Sequence, residues 1–155
     1  MRKKTEQLSV QEAKAKAARY CAYQERTRRE IQTKLEDYGL SSGDRERVLN
    51  ELEAEGFYNE ERYAQAFCRG KLHHNKWGRI KIVQALRQKG LSDPQIQTGL
   101  VEIEEETYRK ILSDLITRKL KSLKEDDTFT RHHKAARYAI GKGFEADLVW
   151  EMLGE

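Results

Sequence analysis

Between Arg62 and Lys89 the chain carries Arg62, Arg69, Lys71, Lys76, Arg79, Lys81, Arg87 and Lys89, with His73 and His74, and not one Asp or Glu. Unneutralised ammonium and guanidinium groups at this density suit anion binding, phosphates above all. Trp77 sits within the run, where an indole can stack on a base, insert into a protein groove or cover a gap between structural units. The following segment, Gly90 to Glu106, inverts the pattern. It has no Lys or Arg, and Glu102, Glu104, Glu105 and Glu106 gather at its end. Segregation of this kind is expected when one face meets an anion and another does not. The eight cations and Trp77 are therefore the candidate contacts. The plainer alternative is solvated surface charge, and for Arg62 an ion pair with Glu55 or Glu60.

Other chemistry is thin. His73-His74 and His132-His133 are adjacent pairs, so on a helix their side chains diverge, and no ligand-spaced carboxylate or Cys accompanies them. No Ser, Cys or Lys has the setting of an activated nucleophile, and no Gly-rich phosphate loop is present. The expectation is a non-enzymatic binding protein with no catalytic residue, metal or cofactor. Cys21 and Cys68 fall in different predicted helices and read as reduced, partly buried thiols. The basic start Met1-Arg2-Lys3-Lys4 is followed by no apolar stretch, so it does not read as a signal peptide. No apolar run approaches the ~20 residues of a membrane span. A cytoplasmic location, with no membrane association, is expected.

The elements that must position these residues repeat. Leu35-Glu-Asp-Tyr-Gly39-Leu40, Leu86-Arg-Gln-Lys-Gly90-Leu91 and Ala139-Ile-Gly-Lys-Gly143-Phe144 each end a helical pattern in Gly, add one large apolar residue and restart. The chain's apolar content, 37%, is modest beside 36% charge, which suits an array of small units with much solvated face. Gly at such a stop accepts the left-handed conformation without a Cβ penalty. Restart signals follow: Ser92 as N-cap, Pro94 in the first turn and Gln95 at the capping-box position, with Ser41 or Ser42 less clearly in the first copy. A further helix precedes each pair, at about 11–23, from Asn59 onward and about 105–123. In the second of these Tyr63, Ala66, Phe67 and Gly70 share one face. The reading is all-α: three tandem three-helix repeats forming an elongated, curved array, over 10–57, 58–103 and 104–155, after a basic tail at 1–9. Gly39, Gly90 and Gly143 are its structural glycines. Arg45 occupies an offset held by Ile96 and Val149, so the first copy's third helix is expected to start late or bury less. Gly141 is expected to loosen the second helix of the third copy.

At the level of whole motifs the chain resembles the RecX family of RecA recombinase regulators. The resemblance lies in Glu60-Glu61-Arg62-Tyr63-Ala64-Gln65-Ala66-Phe67, Trp77-Gly78-Arg79-Ile80-Lys81-Ile82 and Leu86-Arg87-Gln88-Lys89-Gly90-Leu91-Ser92. It extends from about residue 10 to the end, the terminal copies matching mainly by repeat pattern. The resemblance implies binding to RecA–DNA filaments, damping of ATP hydrolysis and strand exchange, and some binding of single- and double-stranded DNA. A monomer is expected. The alternative is a helix-turn-helix DNA binder without a RecA role, since Leu35–Leu49 and Leu86–Leu100 each offer helix, Gly turn and helix. Against it, Ser92 to Gly99 contains no Lys or Arg.

Overall fold

Gly39, Gly90 and Gly143 all take positive φ (86°, 92° and 101°), and each closes its helix in the same way. The glycine N–H bonds back to the residue three before it. The next N–H, of Leu40, Leu91 or Phe144, reaches the carbonyl of Leu35, Leu86 or Ala139, each at 3.2 Å. This closure satisfies carbonyls that a helix end leaves open. It also folds the following apolar residue back into the core, where Leu40, Leu91 and Phe144 are buried.

The computed structural model describes residues 7–124 and 127–155, so residues 1–6 of the expected basic tail lie outside the described residues. Among the described residues there are nine helices and no strand: α1 (Val10–Tyr23), α2 (Arg28–Asp37), α3 (Ser42–Ala54), α4 (Glu60–His73), α5 (Arg79–Gln88), α6 (Asp93–Leu100), α7 (Glu105–Ser122), α8 (Thr128–Gly141) and α9 (Ala146–Met152). Capping boxes start three of them, Ser9 with Glu12, Thr27 with Glu30 and Ser92 with Gln95. Asn59 caps α4, and Ser41 caps α3.

The apolar residues collect into two clusters, not one. Ala13, Ala17, Ile31, Leu35, Val48, Leu49, Leu52 and Tyr58 form the core of the first copy. A second, larger core runs through copies two and three, from Ala64, Cys68 and Leu72 to Leu112, Ala136, Phe144 and Val149. Each fully buried Leu or Ile contributes roughly 1.5–3 kcal/mol by leaving water, and the shared core lets two small units pool that gain.

Two expectations need correcting. Arg45 does not delay α3, which begins three residues after its glycine as α6 and α9 do, and buries Val48, Leu49 and Leu52. Its guanidinium donates to the Leu40 carbonyl at 2.8 Å, so a cation caps the turn where the other copies place an aliphatic group. Gly141 is the last residue of α8. The buried face of α4 is Tyr63, Ala64, Cys68 and Leu72, not the expected stripe through Ala66 and Gly70. That face goes with a close crossing: a Cβ on Gly99 of α6 would lie only 2.7 Å from the Ala64 carbonyl oxygen, so only glycine fits there. No helix among the described residues is long and apolar enough to cross a membrane.

Candidate functional site

Rotating α4 onto Ala64, Cys68 and Leu72 brings Phe67 to the flank of the core, half-buried. Trp77, in the loop after α4, meets it edge-on with ring centroids 6.4 Å apart, and Tyr63 stacks on its other side at 5.9 Å. Three lysines from two helices and a turn converge on these rings. The Lys71 ammonium lies 4.7 Å from the Trp77 centroid and 5.5 Å from that of Phe67, Lys81 lies 4.6 Å from Trp77, and Lys89 lies 5.9 Å from Phe67. Cation–π attraction holds flexible side chains in place at about 0.5–1 kcal/mol each when exposed. None of the three lysines has a carboxylate partner among the described residues. The rings thus present a set of ordered, unneutralised ammonium groups, suited to phosphate or to an acidic protein surface.

The other sequence candidates go elsewhere. Arg79 turns inward. Its guanidinium lies 3.7 Å over the Tyr108 ring and pairs with Glu145 at 2.9 Å and with Glu105. The Tyr108 hydroxyl accepts from the Arg79 backbone N–H at 3.0 Å and donates to Glu145, while burial, then the Glu145 bond, pushes that hydroxyl well above its ordinary range. Arg79 therefore joins the second copy to the third. Gly78 completes the joint: its N–H donates to the Lys142 carbonyl at 2.8 Å, and any Cβ there would strike the Gly143–Phe144 backbone.

Arg62 pairs with a carboxylate, as its plainer reading allowed, but the partner is Glu25 of the first copy. Its Nε lies 2.7 and 2.8 Å from the two oxygens. Arg87 reaches Asp93 at 3.2 Å, and Lys76, in the left-handed region at φ 56°, donates to the His73 carbonyl at 2.6 Å. Arg69 is exposed on another side of α4, beside Glu102 and Glu104. Of the nine candidates, Lys71, Trp77, Lys81 and Lys89 come together.

Sequence reasoning missed Phe67 as a site residue because it counted that ring as core. It also missed a counterpart in the first copy, where Lys16 lies 5.5 Å over Tyr38, and Lys34 and Arg26 lie 5.1 and 3.7 Å over Tyr20. Lys16 and Tyr38 precede Phe67 and Lys89 by 51 residues each, the spacing of Gly39 and Gly90. Cation and ring have exchanged places across one equivalent pair of positions, a signal readable once the copies are aligned on their glycines. No group of three or more His, Cys, Asp or Glu residues placed to hold a metal occurs among the described residues.

Three family descriptions match in order along the chain: the first three-helix domain of RecX over residues 13–52, the second over 59–100 and the third over 106–153. The chain belongs to the RecX family. A protein named regulatory protein RecX from Neisseria meningitidis serogroup A is 31% identical over 144 residues, 88% of this chain and 85% of the relative. Another of that name, from Clostridium botulinum, is 29% identical over 84% of this chain, which spans only 61% of that relative's length. The crystal structure of RecX from Lactobacillus salivarius superposes with a TM-score of 0.87 at 21% identity, covering 94% of both chains, a likeness of fold. The lysine–aromatic cluster thus lies in the second domain of a RecX-family chain.

Proposed function

We propose that this chain regulates a RecA-type recombinase by lying on the RecA–DNA filament and damping ATP hydrolysis and strand exchange. The observation that carries the reading is the Lys71–Lys81–Lys89 set, ordered on Phe67 and Trp77 with no carboxylate partner, in the middle domain of a chain whose relatives are named regulatory protein RecX. A filament combines phosphates with protein surface, and such a cluster suits either. Seating the chain in a filament groove hinders the subunit rearrangements that hydrolysis and strand exchange require. Contacts to single- or double-stranded DNA are weak and electrostatic in this reading, and the chain acts as a cytoplasmic monomer.

The helix-turn-helix alternative gains nothing from the geometry. Of the two helices that would read bases, α6 turns Ile96 and Gly99 inward and carries no Lys or Arg, while in α3 Arg45 donates to the Leu40 carbonyl and Arg47 pairs with Asp44.

The test adds the protein to RecA on single-stranded DNA and follows ATP hydrolysis. Wild type slows hydrolysis, and Lys71→Glu with Lys81→Glu weakens the effect while leaving helix content unchanged. For DNA alone, removing two phosphate contacts flattens the slope of log affinity against log salt by about 1.4 on single strands. No effect of wild type at any ratio up to one per RecA rejects the proposal.

A further inference from the structure

The first two copies meet the turn of the next copy with the same region, a backbone N–H making the bond in the second and a guanidinium in the first. In the second, the start of α5 receives the turn between α8 and α9: Ile80 N–H donates to the Gly143 carbonyl at 3.0 Å, and Arg79 takes the carboxylate of Glu145, two residues beyond that glycine. The equivalent positions of the first copy, 51 residues earlier, are Arg28 and Arg29. There Arg29 donates to the Gln88 carbonyl at 2.8 Å and lies against Gly90, while the Arg28 N–H donates to Glu60 at 3.3 Å. The start of each second helix thus meets the turn of the next copy, with a carboxylate close by: Glu145 beside the turn itself in the one case, Glu60 from the start of α4 in the other.

In the third copy the equivalent positions, 53 residues after Arg79 and Ile80, are His132 and His133 on α8. No further copy is seated there among the described residues. Instead, α8, with Trp150 of α9, lines an open groove of about 560 Å³, a size that accepts a few side chains. His133 packs tilted against Phe129 with centroids 4.1 Å apart and meets Trp150 edge-on at 5.1 Å. Phe129 is 66% exposed and Ile140 39%, an apolar floor open to solvent. Lys134 and Arg137 also line it, no acid does, and Thr128–Gly141 contains no Asp or Glu. Apolar floor and basic edge together call for a complementary partner.

We infer that this groove docks an acidic peptide segment of a partner protein, one apolar side chain entering between Phe129 and Trp150 while carboxylates meet His133 and Arg137. Like Phe144 and Glu145 at the second copy, the occupant brings an apolar side chain and carboxylates, here to a groove beside His132, which itself lies inside α8 and meets Glu155 at 3.4 Å. The inference goes beyond the filament reading and does not depend on Lys71 or Lys81.

The test titrates the isotopically labelled full chain with a synthetic peptide of about twelve residues, Asp and Glu flanking a central Phe-Leu pair, and follows amide shifts by NMR. Shifts confined to α8 and α9 are expected. Arg137→Glu and Phe129→Ala, both at exposed positions, each weaken binding about tenfold. A control peptide with Lys for every acid leaves the spectrum unchanged. Absence of shifts at about 1 mM peptide overturns the inference. Equal binding of the lysine peptide, or binding that neither substitution weakens, does so as well. Sedimentation showing self-association lost in the same two variants assigns the groove to a second copy instead and likewise overturns it.

Discussion

Gly143 and Gly141 stand two residues apart and make opposite demands. Gly143 takes φ 101°, and a Cβ on it would strike the Lys81 backbone and Cβ across the joint. Gly141 is helical, exposed, and has open space where a Cβ would go. In chemical denaturation, Gly143→Ala is expected to destabilise by about 1–3 kcal/mol, as overpacking does. Gly141→Ala is expected to stabilise by roughly 0.5–1 kcal/mol, since Ala restricts the unfolded chain and favours helix. Cys68 offers a test by pH. Burial pushes its thiol up to about 11 from an ordinary value of 9.0. Between those values the unfolded chain ionises first and binds fewer protons than the folded one, so this group's contribution to stability falls as pH rises across that window. Comparing wild type with Cys68→Ala by denaturant unfolding at pH 8 and pH 10 checks this: the wild type should lose more on going up. Trapping of Cys68 by a thiol reagent should likewise follow unfolding rather than the thiolate fraction of an open site.

The joints between elements show that cations of one acid-free run serve two purposes. Arg79 fixes α5 against α7 and α9 through Tyr108, Glu105 and Glu145, whereas Lys81, two residues on, holds its ammonium over Trp77. Arg79→Ala is expected to cost about 2 kcal/mol, because it leaves partly buried acceptors without their donor, and to raise hydrogen exchange at the starts of α7 and α9. Lys81→Gln keeps the aliphatic stem and is expected to leave stability within about 0.5 kcal/mol while weakening anion binding. A charge reversal at Arg79 would confound the two effects, so the functional comparison belongs to Lys71 and Lys81. If Arg79→Ala proves as stable as wild type, the joint is not what holds the third copy.

Across the whole molecule, the two cores divide the chain unequally. The first copy has its own cluster, and its boundary with the second copy is largely polar: Arg62 on Glu25, Arg29 on the Gln88 carbonyl, and the Arg28 N–H on Glu60. Copies two and three share one apolar core. Polar joints cost less to open than shared cores, so native-state hydrogen exchange should show α1–α3 opening as a unit at lower free energy than α4–α9. Arg28→Ala, which removes the guanidinium bonds to Tyr58 and Glu46, should widen that gap. A single cooperative opening with equal protection in all nine helices would contradict this division.

Helix identity, the helix ends at the three glycines and the threefold repeat were legible in the amino-acid sequence, because each rests on neighbours within a few residues: a glycine that tolerates positive φ, a Ser or Asn cap, an apolar residue that folds back. So was the concentration of cations in the middle copy. What each cation does was not legible. Arg79 and Lys81 share one helix and one charge, and only the docking of α7 and α9 gives the first its carboxylates and leaves the second over a ring. The same holds for α4, whose buried face goes with how closely Gly99 lets α6 approach Ala64. Local conformational preference acts along the chain, whereas pairing and burial are settled by distant residues that meet only in the folded structure.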